Sequence, residues 1–406
     1  MQSRLASSKP TYLLALAAAL SMGSAVALGL TRFSYGILLP VMREDLQWSY
    51  LVAGFVNTAN AVGYLIGALV TPIFLRRFDP SRVLIAAAGA SVVSMACTGL
   101  TTATTVIMLL RATAGVSSAL AFISGGILAA RLANSRPRSA GLFLGIYYGG
   151  TGFGIALAAV ILPGVFAGAQ ASAHGWTWGW WVLSACCAVA LWVLLWPARH
   201  LRQPETQTRA AHAANPDTAP VWRGFAWAIA AYFMFGVGNI GYMTFVIALL
   251  GRNNVAQDII SIFYGLLGCA AMAAPRIWSP LLDRFKGGQP LAILNLLLGM
   301  ATILPAVTSA PFLVLLSGAM FGGIFLSVVA STTALVRHNL APSQWPAGIT
   351  AFTAVFAAGQ IIGPSVVGWI GDGPGGLPGG FVFSAISLWI AAALACLQRP
   401  LGRPPD

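Results

Sequence analysis

Acidic residues are scarce in this chain, and they are scarcest inside its apolar runs. Nine Asp and Glu stand against 22 Lys and Arg in 406 residues. They are Glu44, Asp45, Asp79, Glu205, Asp217, Asp258, Asp283, Asp372 and Asp406, all in expected loops or at the ends of apolar runs. The four histidines, His174, His200, His212 and His338, are equally peripheral. No spacing among these residues matches a metal site, a nucleophile–base pair or a phosphate loop, so neither an enzyme nor a cofactor is expected. The five cysteines (Cys97, Cys186, Cys187, Cys269 and Cys396) sit in apolar segments without zinc or disulfide spacing, and read as small buried hydrophobes. Charge of either sign is low: 8% of residues, about a third of what a soluble domain carries.

What is present is apolar sequence, 58% of the chain, with a mean hydropathy of +0.82. The runs are continuous rather than alternating and reach the ~20 residues that a helix needs to cross a bilayer. The pattern predicts an all-α membrane protein with spans near 12–42, 49–75, 82–102, 104–132, 138–168, 175–197, 222–250, 257–283, 289–308, 311–338, 344–371 and 379–398. The first run flows into Arg32 and Pro40 and is expected to be retained as span 1 rather than removed as a signal peptide. A polar, Pro-containing stretch at 198–221 reads as a linker, giving a six-helix bundle at 1–197 and another at 222–406.

Net charge is +13. In a soluble chain that balance would point to nucleic acid, but here it follows the positive-inside pattern. With both termini in the cytoplasm, the loops holding Arg76, Arg77, Arg82, Arg131, Arg136, Arg138, Arg199, Arg202, Arg209, Arg284, Lys286 and Arg337 lie inside, and only Arg43 and Arg252 lie outside. Trp176, Trp178, Trp180, Trp181 and Trp196 read as an interfacial belt. The halves repeat: a shift of about 207 residues lays Arg77-Phe78 on Arg284-Phe285, Tyr35 on Tyr242, Gly152 on Gly359 and, nearly, Arg131 on Arg337. A parallel repeat of two six-helix bundles is a transporter architecture.

Several motifs resemble the major facilitator superfamily. Asp283-Arg284-Phe285-Lys286-Gly287 is similar to its loop signature after span 8. The matching run Arg76-Arg77-Phe78-Asp79 after span 2 has Arg76 where an aspartate is expected. Leu110-Arg111 through Gly115 resembles the span-4 arginine motif, and Gly359 through Gly363-Pro364 the Gly–Pro kink motif, which span 5 lacks. The runs Arg32–Met42 and Asn60–Leu69 are similar to the bacterial YbfB/YjiJ-type branch. The resemblance implies the major facilitator fold, a conformational latch at Arg77, Asp283 and Arg284, a coupling role for Arg111, and a site in the bacterial cytoplasmic membrane. Cation-drug pumps and many proton-coupled sugar symporters of the superfamily keep a carboxylate inside a helix, and this chain has none there.

Arg32 is the sharpest candidate. It lies within span 1, ~12 Å from the end marked by Pro40. A guanidinium keeps its charge and is costly in hydrocarbon, so it either binds an anion or serves backbone carbonyls of a broken helix. Arg111 is either a substrate or coupling residue or a packing residue between spans 1, 2 and 4. Arg276, between Pro275 and Pro280, fits a structural role at a helix break. Asn57, Asn60 and Tyr64 share a face of span 2 and either line a cavity or bond neighbouring helices. Tyr35, Tyr147, Tyr148, Asn239, Tyr242, Tyr264 and Gln360 are further lining candidates, with core packing the alternative for each tyrosine. The expected activity is secondary transport of a small organic anion, most simply a carboxylate, by a monomer in the lipid bilayer. A proton travelling with the anion would ride on the substrate itself. Efflux of amphipathic compounds and a non-transporting sensor are the rivals.

Overall fold

The computed structural model describes residues 10–134, 140–169, 172–202, 222–341 and 344–401. Most of the expected linker, with Glu205, Arg209, His212 and Asp217, lies outside these residues, as do Arg136, Arg138 and Asp406. Among the described residues there is no strand, and twelve helices are long and apolar enough to cross a membrane. Spans 1 to 6 are Thr11–Asp45, Tyr50–Arg77, Pro80–Thr98, Thr104–Asn134, Gly141–Gly168 and Trp176–His200. Spans 7 to 12 are Ala226–Arg252, Gln257–Arg284, Gln289–Val307, Pro311–Asn339, Ala347–Asp372 and Gly376–Cys396.

The chain forms two compact units, Met1–Leu46 with Val62–Ala214, and Gln47–Ala61 with Asn215–Asp406. Span 2 is therefore shared: its first turns pack in the second unit and the remainder in the first. Within the first unit, span 1 packs on spans 4, 5 and 6, and span 3 on spans 4 and 6. Within the second, span 7 packs on spans 11 and 12, span 8 on span 10, and span 9 on spans 10 and 12.

The sequence repeat has a packing counterpart. A Cβ placed on Gly29 would sit 2.7 Å from the Cα of Gly154, so spans 1 and 5 meet backbone to backbone. At the corresponding place in spans 7 and 11, a Cβ on Gly236 would lie 3.2 Å from the Cα of Gly359. Small residues at these crossings let helices approach closely, which in lipid supplies the dispersion and hydrogen bonding that holds them together. Beside the first crossing, the hydroxyls of Ser24 and Thr151 are 2.6 Å apart.

Span 1 is not a uniform α-helix. Pro10–Ser24 is α-helical, Ala25–Phe33 is π-helical with all nine residues buried, and α-helix resumes over Tyr35–Asp45. Its far end is tied down by Asp45, whose Oδ2 lies 2.6 Å from His174 Nδ1 and accepts from Trp176 Nε1 at 2.5 Å. Trp176 and Trp180 are fully buried, so these two leave the expected interfacial belt; Trp178 and Trp196 stay exposed.

The loop between spans 2 and 3 does contain an acid that works. Asp79 caps span 3, accepting from the Ser81 amide at 2.9 Å and its hydroxyl at 2.5 Å, and pairs with Arg131 Nη1 at 3.0 Å. Burial alone would push its carboxyl up, but the Ser81 hydroxyl and amide and the Arg131 guanidinium hold it below the usual carboxylate value. The second unit does the same job without an ion pair. Asn339 Nδ2 donates to the Lys286 carbonyl at 2.8 Å, and Asn339 Oδ1 accepts from the Leu401 amide at 2.6 Å. Arg337, the repeat counterpart of Arg131, instead lies 5.1 Å over the Trp345 ring. Removing the carboxylate in Asp79→Ala is expected to cost about 2 kcal/mol, through the lost cap and the stranded guanidinium. Asp79→Asn should fall between it and the native chain in a thermal denaturation series.

Candidate substrate site

The π stretch positions the candidate site of the first unit. Its i→i+5 bonding changes the azimuth of everything after it, and such stretches recur at functional sites. Arg32 lies one residue before the stretch ends and is 3% exposed. Its guanidinium carbon stands 4.7 Å from the centroid of the Tyr64 ring, whose negative face attracts a cation. Tyr147 donates its hydroxyl proton to the Phe122 carbonyl at 2.7 Å. Tyr148 packs 5.2 Å from Tyr147 and 5.6 Å from Phe122, and at 39% is the one exposed ring of this group.

Arg111 approaches the same stretch from span 4. Its Nη1 donates to the Thr31 carbonyl at 2.6 Å, and its guanidinium stands 5.1 Å from the Tyr35 ring and 5.3 Å from the Trp180 ring. It thereby bonds backbone beside the seam where π gives way to α. Arg111 thus bonds the residue next to Arg32, so the two buried guanidiniums share this part of span 1. Two buried guanidiniums so placed raise the potential around them, a field that favours negative charge.

The remaining candidates fall in the second unit, Asn57 and Asn60 with it through the first turns of span 2. Asn57 Nδ2 donates to Thr244 Oγ1 at 2.6 Å, and Thr244 donates its own proton to the Ile240 carbonyl. That chain fixes the amide orientation and leaves Asn57 Oδ1 buried without a hydrogen-bond partner among the described residues; Asn239 Oδ1 shares this condition. Asn60 and Gln360 are buried as well. Tyr242 is packed as core, its ring stacked 3.9 Å from Phe321 and its hydroxyl 2.7 Å from Ser317 Oγ, with Tyr264 fully buried nearby. The structure thus groups Arg32, Tyr35, Arg111 and Tyr147 in one unit, and Asn57, Asn60, Asn239, Tyr242, Tyr264 and Gln360 in the other.

Of the expected latch, Arg77, Asp283 and Arg284 are exposed, and Arg284 lies 5.6 Å over its neighbour Phe285. Arg276 is exposed too, and the break expected there is absent, since the helix runs from Gln257 to Arg284 through Pro275 and Pro280. Tyr64 is legible as part of the Asn57, Asn60 and Tyr64 face of span 2, whereas Trp180 reads as part of an interfacial belt and its place beside Arg111 carries no signal in the sequence.

A family model described as "Uncharacterised MFS-type transporter YbfB" matches residues 24–396. Among curated proteins, the MFS-type transporter YceJ of Bacillus subtilis (strain 168) is 23% identical over 352 residues, covering 84% of this chain and 86% of its own length. Among solved structures, a peptide transporter POT superposes with a TM-score of 0.72 at 14% identity, covering 98% of this chain and 97% of its own. The nucleoside transporter NupG gives 0.67 at 14% identity, covering 95% and 98%. A bacterial homologue of the human lysosomal transporter Spinster gives 0.66 at 14%, covering 96% and 97%. At such identities these structures carry the fold alone. The family match spans nearly the whole chain: this is a multi-pass membrane protein belonging to the YbfB-type transporters of the major facilitator superfamily.

Proposed function

We propose that the protein is a secondary transporter of a small organic anion, most simply a carboxylate, with Arg32 as its anion-binding group. The observation that carries this reading is the pair of buried guanidiniums at the π stretch, Arg32 within it and Arg111 bonded to the carbonyl of the neighbouring Thr31. Arg111 donates to the Thr31 carbonyl and braces the helix, and Arg32, inside the π stretch and over Tyr64, is the group assigned to the cargo. Rocking of two similar bundles would expose the site alternately, with both termini in the cytoplasm of a bacterial inner membrane, as the basic loops favour. Since no spanning segment holds a carboxylate in its interior, a coupled proton would ride on the anion. Nucleosides and peptides, named for two of the structural relatives, do not transfer to this chain on fold alone.

The test is a thermal-shift panel of carboxylates, sulfonates and phosphonates on the purified protein, followed by counterflow of labelled hits in proteoliposomes. A true ligand raises the melting temperature in proportion to the logarithm of its concentration once it exceeds Kd. Stabilisation by anions with matching counterflow supports the reading. Stabilisation only by cationic or neutral amphiphiles overturns it in favour of efflux of such compounds, and silence across the panel overturns it in favour of a sensor.

A further inference from the structure

Span 2 begins on a carboxylate that is remote in sequence. Asp372, the last residue of span 11, accepts from the Tyr50 amide through Oδ1 at 2.8 Å and from the Leu51 amide through Oδ2 at 2.9 Å. A helix start leaves its first amides without intrahelical acceptors and carries partial positive charge. Both oxygens of one carboxylate therefore satisfy two such amides and face the favourable end of the dipole. Tyr50, Leu51 and Asp372 all belong to the second unit.

The contact continues down the helix. The backbone at Gly368 presses on the Tyr50 carbonyl and that at Gly54 on the Pro364 carbonyl, with no room for a Cβ at either glycine. The Tyr50 ring meets Phe245 edge-on at 6.1 Å. Farther in, Thr58 donates to the Ile361 carbonyl at 2.9 Å and lies 2.9 Å from Ser365 Oγ. Beyond Ala61 the same helix belongs to the first unit, where Tyr64 lies under Arg32. One continuous helix is thus divided between the two units; on the rocking reading proposed above, on which this inference rests, its first turns part from the second unit in one of the two states.

We propose that Asp372 is a conformational clamp: its two-pronged hold on the Tyr50 and Leu51 amides sets how readily the first turns of span 2 leave the second unit. The alternative is a local helix cap whose loss frays two residues and nothing more. The clamp predicts that removing the carboxylate opens the seam as far as Thr58, about 12 Å along the helix from Tyr50.

The test uses the full chain in proteoliposomes, with the five native cysteines replaced and a single Thr58→Cys probe, labelled by a water-soluble maleimide. Two hydrogen bonds to an ionised group are lost in Asp372→Ala, so labelling should accelerate about tenfold or more. Asp372→Asn keeps one acceptor and should lie between. Melting temperature and size-exclusion profile establish that each variant is folded; should Asp372→Ala fail this, the Asn variant carries the comparison. Hydrogen exchange of the Tyr50 and Leu51 amides is followed in parallel. Faster exchange there with unchanged labelling at Thr58→Cys identifies a mere cap and overturns the proposal.

Discussion

Arg32→Ala is expected to abolish anion-induced stabilisation and to weaken binding roughly 10²–10³-fold. The figure follows from truncating one partner of a buried, hydrogen-bonded charge pair, which costs about 2–5 kcal/mol. The apo protein should melt close to the native chain, because the desolvation cost that alanine lacks offsets the lost contact with the Tyr64 ring. Arg32→Lys keeps the charge without the planar fork and should recover part of the affinity. Arg111→Ala is the informative contrast. It removes the 2.6 Å bond to the Thr31 carbonyl and two aromatic contacts, so its main effect should be a lower melting temperature. Equilibrium binding and apo melting measured side by side separate the two arginines. An Arg32→Ala protein that still binds and carries anions would remove the basis for the anion reading.

The second large effect concerns packing rather than chemistry. Gly63→Val should cost about 3 kcal/mol, at the upper end of what overpacking usually does. A Cβ at Gly63 falls onto the Ala112 carbonyl, with the Ala112 Cα at 3.0 Å, so spans 2 and 4 must separate along their backbones to admit it. No flexible side chain is there to swing away. Gly164→Ala is the matched control, since nothing lies within 4 Å of that position, and it should be close to neutral. The measurement is the melting temperature together with the monodisperse fraction after purification. A Gly63→Val protein as stable as the control would mean that the close approach of spans 2 and 4 is dispensable.

Much of the fold was legible because hydrocarbon imposes one rule on every spanning segment. Twelve apolar runs, separated by short polar breaks, predict twelve helices to within a few residues. The repeat was legible in part: of the glycine pair it aligns, Gly152 and Gly359, the second lies at the crossing with Gly236, while the first half crosses at Gly29 and Gly154. The site was legible in part. Arg32 stood out because an intramembrane charge is expensive. The π-helical turns were not legible, since Ala25-Val26-Ala27-Leu28-Gly29-Leu30 contains nothing that distinguishes i→i+5 from i→i+4 bonding. Nor was the destination of Tyr242, whose repeat relation to Tyr35 gives no hint that it would stack on Phe321. Asp79 and Asp372 were visible as loop acids, but their partners depend on contacts that only the packed helices create.

The two units also differ in what acid would do to them. Asp79 is held below its unfolded value, so the stability it confers is present at neutral pH and drains away as protons are added through the folded-state titration. Asn339, at the equivalent fastening, has no proton to gain. Acidification of the compartment facing that loop would therefore loosen the Asp79 fastening and leave the Asn339 contacts unchanged. The two halves thus fasten the loops on this face by different chemistry, a carboxylate that takes up a proton in one and an amide that does not in the other.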